Sequence, residues 1–195
     1  KQQEDASTWF FKKALKENKS WNSIEELVAD KKSFAELVKI YPAVKNYESD
    51  ASVAWLNTFL AQQQKMIEKF ARPEWRPFDE FVRDGNFMDY VTKAVKKCYG
   101  IAKKDTWDPA DTWCIRHQPK AKKQLETVLG KESDWGTETP PGTIDDLNNT
   151  MRELYKSGKS GTRDAPAIAG ISLKKVAMVT VTDPTTNKKV KQPMV

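Results

Sequence analysis

The chain has 195 residues and a formal net charge of +6, enough length for one domain with an annex and a mild positive excess that permits a polyanionic partner. No apolar run approaches the roughly 20 residues of a membrane span, and the 7 Trp, 5 Tyr and 8 Phe exclude a disordered tail. Two cysteines without CxxC spacing and a single histidine indicate neither a disulfide framework nor a multi-histidine metal site, which favours a reducing, cytoplasmic compartment.

The first hundred residues predict helices. Apolar residues recur at helical spacing in five stretches, which are residues 9–15, 21–28, 34–40, 50–70 and 87–99. The first four of these stretches lie within the helical annex that we expect over residues 1–85.

After Gly100 the pattern changes to strands and helices. The run from Thr112 to Ile115 predicts a buried strand, and residues 119–129 and 143–158 predict helices. Residues 167–183 predict one or two further strands. The predicted fold class is α+β, with a small mixed sheet flanked by helices over residues 86–195. We expect this core to be incomplete at its C-terminus, because the sequence stops directly after a strand-like segment.

The net charge is unevenly distributed. Residues 1–92 carry −1, residues 93–123 carry +6, residues 124–155 carry −5 and residues 156–195 carry +6. The positive excess thus coincides with the predicted strands. Clustered Lys and Arg release counterions from phosphates, so this distribution predicts a face for an anionic ligand, although a solvated lysine-rich surface gives the same pattern.

Two short segments could together carry chemistry. Asp111 enters the strand TWCI, and Ser172-Leu173-Lys174 lies within the segment GISLKKV. An acid at the start of one strand and a lysine on a neighbouring strand can project to one point at a sheet edge. Phosphodiester hydrolysis uses such a set, because carboxylates hold Mg²⁺ and a lysine orients water or offsets transition-state charge.

These segments resemble the motifs of the PD-(D/E)xK nuclease superfamily, over residues 86–182. Asp111 matches the motif Asp, with Pro109-Ala110-Asp111 similar to the PD element with one residue inserted, and Lys174 matches the motif Lys. The resemblance implies a restriction-endonuclease-like core and an upstream acid on the preceding helix, which Asp89, and more weakly Glu80, could supply.

The second motif departs from the family pattern. Ser172 stands where the family has an acid, so the strand carries an SxK variant. Another acid would then complete the metal site with Asp111, and Asp108, Asp105 and Asp183 all remain open as candidates.

The resemblance implies that DNA is the partner. Lys103, Lys104, Arg116 and Lys175 would hold its phosphate backbone, and Trp107 in the polar turn could stack on a base. The leading hypothesis is a magnesium-dependent nuclease, or an inactive relative that binds DNA.

Two other functions stay open. A structural protein, such as a phage virion or assembly component, would use the annex as a docking surface and form an oligomer. Its motivation is the set of aromatics Trp9, Trp21, Trp55 and Trp75. The other alternative is a nucleic-acid binder without catalysis.

Overall fold

The computed structural model shows an α+β protein, as the sequence predicts. It describes residues 1–82, 86–103, 110–156, 165–173, 178–182 and 189–193. The chain divides into two compact units, a first unit of Lys1–Ala71 with Leu173–Val195 and a second unit of Arg72–Ser172. The sequence predicts a boundary between residues 85 and 86, whereas the structure groups residues 72–85 with the second unit.

The first unit contains four α-helices and a two-stranded antiparallel hairpin among its described residues. They are α1 (Gln2–Lys16), α2 (Ile24–Ala29), α3 (Lys31–Ile40), α4 (Asp50–Phe70), and the hairpin strands β4 (Met178–Thr182) and β5 (Lys189–Pro193). Side-chain caps begin three of the helices. The Ser23 and Ser49 hydroxyls accept from the backbone N–H groups of Glu26 and Ser52, each at 3.3 Å, and Asp30 caps α3.

The core of the first unit is an aromatic cluster between α1 and α4. Phe10 and Phe59 are fully buried, and their rings stack with centroids 5.6 Å apart. Trp9 stacks on Trp21 at 5.4 Å with nearly parallel planes. Ring contacts between α1, α4 and the residue Trp21 thus form the centre of this core.

The second unit contains a three-stranded sheet and three α-helices among its described residues. They are β1 (Glu80–Val82), α5 (Asn86–Tyr99), β2 (Thr112–Ile115), α6 (Gln118–Leu129), α7 (Ile144–Lys156) and β3 (Ile168–Ile171). Thr143 caps α7 through its hydroxyl, which accepts from the N–H of Asp146 at 3.2 Å. The helices predicted over residues 87–99, 119–129 and 143–158 are confirmed within one to two residues.

The sheet has the order β1-β2-β3, and both pairings are antiparallel. The predicted mixed sheet is therefore wrong for these strands. Strand β2 lies in the centre, and all four of its residues are buried, which explains its almost continuous apolar sequence. Helices α6 and α7 lie in the chain between β2 and β3, so the two strands are neighbours in space only.

Candidate functional site

The register of β2 and β3 brings Asp111 and Ser172 together. Thr112 pairs with Ile171, and the Asp111 backbone N–H donates to the Ile171 carbonyl at 2.9 Å. The Ser172 hydroxyl donates to Asp111 Oδ2 at 3.5 Å. We call this pair the Asp111–Ser172 edge. Ser172 is exposed and Asp111 is half-buried, so the edge is accessible to a ligand.

One face of the sheet continues from this edge. Side chains alternate along a strand, so Asp111 and Trp113 share a face of the β2 segment, and Ser172, Gly170 and Ile168 share a face of the β3 segment. Trp113 pairs directly with Gly170. The polar edge and the tryptophan therefore belong to the same surface.

Gly170 leaves room for the Trp113 ring. A Cβ built at Gly170 would lie 3.0 Å from a Trp113 ring carbon and 3.1 Å from the Ala110 Cβ. Any larger residue would push the ring away from the strand, which is a recurrent reason for glycine inside a strand.

An apolar cleft lies between α7 and this face of the sheet. Its volume is about 350 Å³. Its walls are formed by Trp113, Gly170 and Ile168 from the sheet and by Met151 and Tyr155 from α7, with Ser172 and Arg152 as polar members. Because Ser172 lines both, the cleft is continuous with the Asp111–Ser172 edge.

Tyr155 and Arg152 are cleft residues that the sequence analysis did not identify. Both lie in the last turns of α7, where Tyr155 borders the apolar stripe that buries Leu147 and Leu154. The sequence does contain a signal, since an aromatic residue at the edge of the apolar stripe lies three positions after a cation. The partner strand could not be identified from the helix alone.

The structure corrects the prediction that Arg116 contacts a phosphate backbone. It is only 2% exposed, so it is not available to a phosphate backbone. Its guanidinium donates to the backbone carbonyls of Arg76 and Pro166, the latter at 2.5 Å, and lies 4.0 Å from the centroid of the Phe78 ring. Burial lowers the pKa of Arg116 to about 10. This residue instead ties the segment before β1 and the segment before β3 to the end of β2.

Lysines of the positive segment 93–123 have different surroundings. Lys103 is exposed, as a phosphate-binding residue must be. Lys93 pairs with Glu132 at 2.5 Å, and the Lys122 ammonium lies 4.9 Å from the centroid of the Tyr90 ring. Two of the positive charges of this segment, on Lys93 and Lys122, thus interact with other residues of the second unit.

The predicted upstream acid Asp89 lies exposed in the first turn of α5. Within the residues that the structure describes, no group of three or more His, Cys, Asp or Glu side chains could hold a metal ion. Several predicted site residues lie outside the described residues, namely Lys104, Asp105, Trp107, Asp108, Lys174, Lys175 and Asp183.

Both thiols are free and belong to the packed interior. Cys114 is fully buried and Cys98 is half-buried, and burial raises the pKa of each. A raised pKa disfavours the nucleophilic thiolate, so neither cysteine is a candidate nucleophile.

Comparison with known proteins gives no further assignment. No family model matches the chain, and neither a curated protein nor a solved structure does. No helix in the described part of the chain is both long and apolar enough to cross a membrane.

Proposed function

We propose that the chain binds DNA at the Asp111–Ser172 edge and hydrolyses phosphodiester bonds there with Mg²⁺. The observation that carries this proposal is the 3.5 Å contact between Ser172 and Asp111. It sets the aspartate at the start of one strand beside a serine two residues before Lys174. A nuclease site of the suspected type needs these two segments to be neighbours.

The donor chemistry at the edge suits a hard cation. Mg²⁺ prefers oxygen ligands and is held by one or two carboxylates, with water and substrate phosphates completing its shell. Asp111 supplies a carboxylate that would hold the ion, and the Ser172 hydroxyl donates to that carboxylate. When bound, the ion polarises the phosphate and lowers the pKa of water.

The residues of the chain then have separate roles in the proposal. Asp111 would hold the ion together with one further carboxylate, and Ser172 is a positioning residue whose hydroxyl contacts the Asp111 carboxylate. Lys174 would orient the attacking water or offset the charge of the transition state. Lys103, with Lys104 and Lys175, would contact the phosphate backbone.

The experiment is cleavage of plasmid and single-stranded DNA with Mg²⁺ by the wild type and by single variants. We expect Asp111→Asn and Lys174→Met each to reduce the cleavage rate by about 100-fold or more. Ser172→Ala should cost about 10-fold and raise the Mg²⁺ concentration for half-maximal cleavage, and Ser172→Thr should restore both. Asp145→Asn removes an exposed carboxylate of the same unit and serves as the control.

Two outcomes separate the parts of the proposal. Cleavage that survives both Asp111→Asn and Lys174→Met would falsify the catalytic assignment. Salt-sensitive DNA binding without cleavage by the wild type would support only the inactive relative, since phosphate contacts persist without metal chemistry.

The alternative of a structural protein loses part of its motivation. Trp9 and Trp21 are 9% and 4% exposed, and Trp55 stacks on Phe59 at 5.7 Å. Trp75 lies beside the buried Arg116 guanidinium, 5.5 Å from it. These side chains pack within their own units, so no specific observation favours a docking surface built from them.

A further inference from the structure

The cleft beside the Asp111–Ser172 edge offers a flat, apolar-faced group an aromatic contact. Tyr155 is 39% exposed and, in the part of the chain that the structure describes, is the one large hydrophobic side chain classed as exposed. It faces a cleft whose other wall includes Trp113. Aromatic rings that border an accessible cleft are stacking platforms, because a ligand ring covers their faces without needing a hydrogen bond.

The size of the cleft limits its occupant. About 350 Å³ is at the lower end of the roughly 300–1,000 Å³ typical of small-molecule sites. Such a volume is large enough for a ring-sized group.

The polar groups at the rim of the cleft indicate which chemical groups the rest of the ligand carries. Arg152 is exposed, and its guanidinium donates to the Asn149 side-chain oxygen at 3.0 Å, which holds it beside the cleft. Ser172 continues the lining to the Asp111 carboxylate. The surface therefore presents aromatic rings, a cation that can meet a phosphate and an oxygen-donor edge in one continuous track.

A nucleotide unit has the same arrangement of parts. Its base is a flat ring, and its phosphodiester is anionic. In a duplex, however, both faces of each base are covered by neighbours, so a base can enter a cleft only when it lies outside the stack.

We propose that this cleft binds one nucleobase that is not stacked in a duplex, and that the chain accordingly prefers unpaired nucleic acid. This inference rests on the proposed function, because it places the phosphodiester adjoining the bound base at the Asp111–Ser172 edge. Tyr155 stacks on the base, Trp113 forms part of the opposing wall, and Arg152 contacts a neighbouring phosphate.

The test separates base contacts from phosphate contacts. Two fluorescently labelled oligonucleotides of about twelve nucleotides are compared, oligo-dT and an abasic strand with the same backbone, within the site sizes of single-strand binders. Binding is measured by anisotropy in EDTA, so that cleavage plays no part. We expect oligo-dT to bind roughly 5- to 100-fold more tightly than the abasic strand, and more tightly than a dT·dA duplex of equal length.

Variants of the cleft locate the effect. Tyr155→Ala should lower the affinity for oligo-dT to that for the abasic strand, whereas Tyr155→Phe, which keeps the ring, should retain the wild-type preference. Arg152→Gln should weaken both strands equally and reduce the salt slope by about one, as expected of a phosphate contact. Asp145→Asn again serves as the control.

The outcomes distinguish this inference from the proposed function. If Tyr155→Ala leaves the preference for oligo-dT intact, or if the abasic strand binds equally well, base binding in the cleft is refuted even when Mg²⁺-dependent cleavage is present. If cleavage is absent but the preference depends on Tyr155, the inference stands without the catalysis. A wild-type dimer that Tyr155→Ala dissociates in analytical ultracentrifugation would assign the cleft to a second copy and overturn the inference.

Discussion

The aromatic core of the first unit contrasts with the exposed Tyr155 of the second unit, although the second unit also buries aromatic rings such as Phe87 and Trp135 in its own core. In the first unit, Trp9, Trp21, Phe10 and Phe59 cover one another's rings and form a closed core. In the second unit, Tyr155 is partly exposed and lines a cleft. The number of aromatics in a segment therefore does not indicate a binding surface. An aromatic side chain belongs to the core when other rings of its unit cover it, and it can line a binding site when its ring stays accessible.

Truncating one ring in each unit tests this difference most directly. Phe59→Ala should lower the free energy of unfolding by about 3–5 kcal/mol, because Phe59 is fully buried and lies against Phe10, Trp55 and Tyr41. Tyr155→Ala should change it by only about 0.5 kcal/mol. Urea denaturation followed by circular dichroism measures both values, and equal losses would contradict the distinction drawn between the two units.

Arg116 is a cation with a structural role in the unit that carries the candidate site. Arg116→Gln should lower the free energy of unfolding by about 2–4 kcal/mol, since the Arg76 and Pro166 carbonyls lose a charged donor.

The matched control is the exposed Lys103, where Lys103→Gln should cost less than about 0.5 kcal/mol. The same urea titration compares the two variants. In DNA binding the order should reverse, with Lys103→Gln reducing the salt slope and Arg116→Gln leaving it unchanged in protein that remains folded. A stability loss for Arg116→Gln no larger than that of the control would remove its structural role.

The smallest expected effect concerns an ion pair of the first unit. Asp30 caps α3 and lies 2.5 Å from the Lys19 ammonium, and the hydrogen bond from Lys19 lowers the pKa of Asp30 to about 2. Asn is also a good cap, so Asp30→Asn removes only the charge and should cost about 0.5–1 kcal/mol at neutral pH.

The pH dependence of that effect has a definite sign. The pKa of Asp30 is lower in the folded state than its ordinary value of 3.8, so the stabilisation is present above that value and is lost as the pH falls towards about 2. Unfolding free energies of wild type and Asp30→Asn should therefore converge between pH 4 and pH 2. Lys19→Gln should reproduce the same loss. A difference that persists below pH 2 would exclude the ion pair as its cause.

Much of the fold was predictable because it is encoded locally. The 3.6-residue period of α4 and the caps Ser23 and Thr143 specify where helices lie, and the apolar run of β2 specifies a buried strand. Strand β1 was missed, since three residues between proline-rich turns and a helix contain no period to detect.

The candidate site was predictable in its residues and not in its assembly. Asp111 and Ser172 were identified from residue type and position, but nothing local to either segment specifies that β2 pairs with β3. Arg116 was misassigned for the same reason. From sequence alone, a cation next to a strand looks like a phosphate-binding residue. Only the structure shows that the Phe78 ring and the Pro166 carbonyl, both distant in sequence, cover Arg116. Tertiary contacts of this kind override what charge patterning indicates.

The distance along the chain between the two halves of the edge has a consequence for biosynthesis. Asp111 and Ser172 are separated by 61 positions, and α6 and α7 lie between them. Helices form from contacts within a few residues, whereas this strand pairing must close a long loop. A nascent chain cannot form the Asp111–Ser172 edge until Ser172 has left the ribosome. The candidate site can therefore form only after α6 and α7 have emerged from the ribosome.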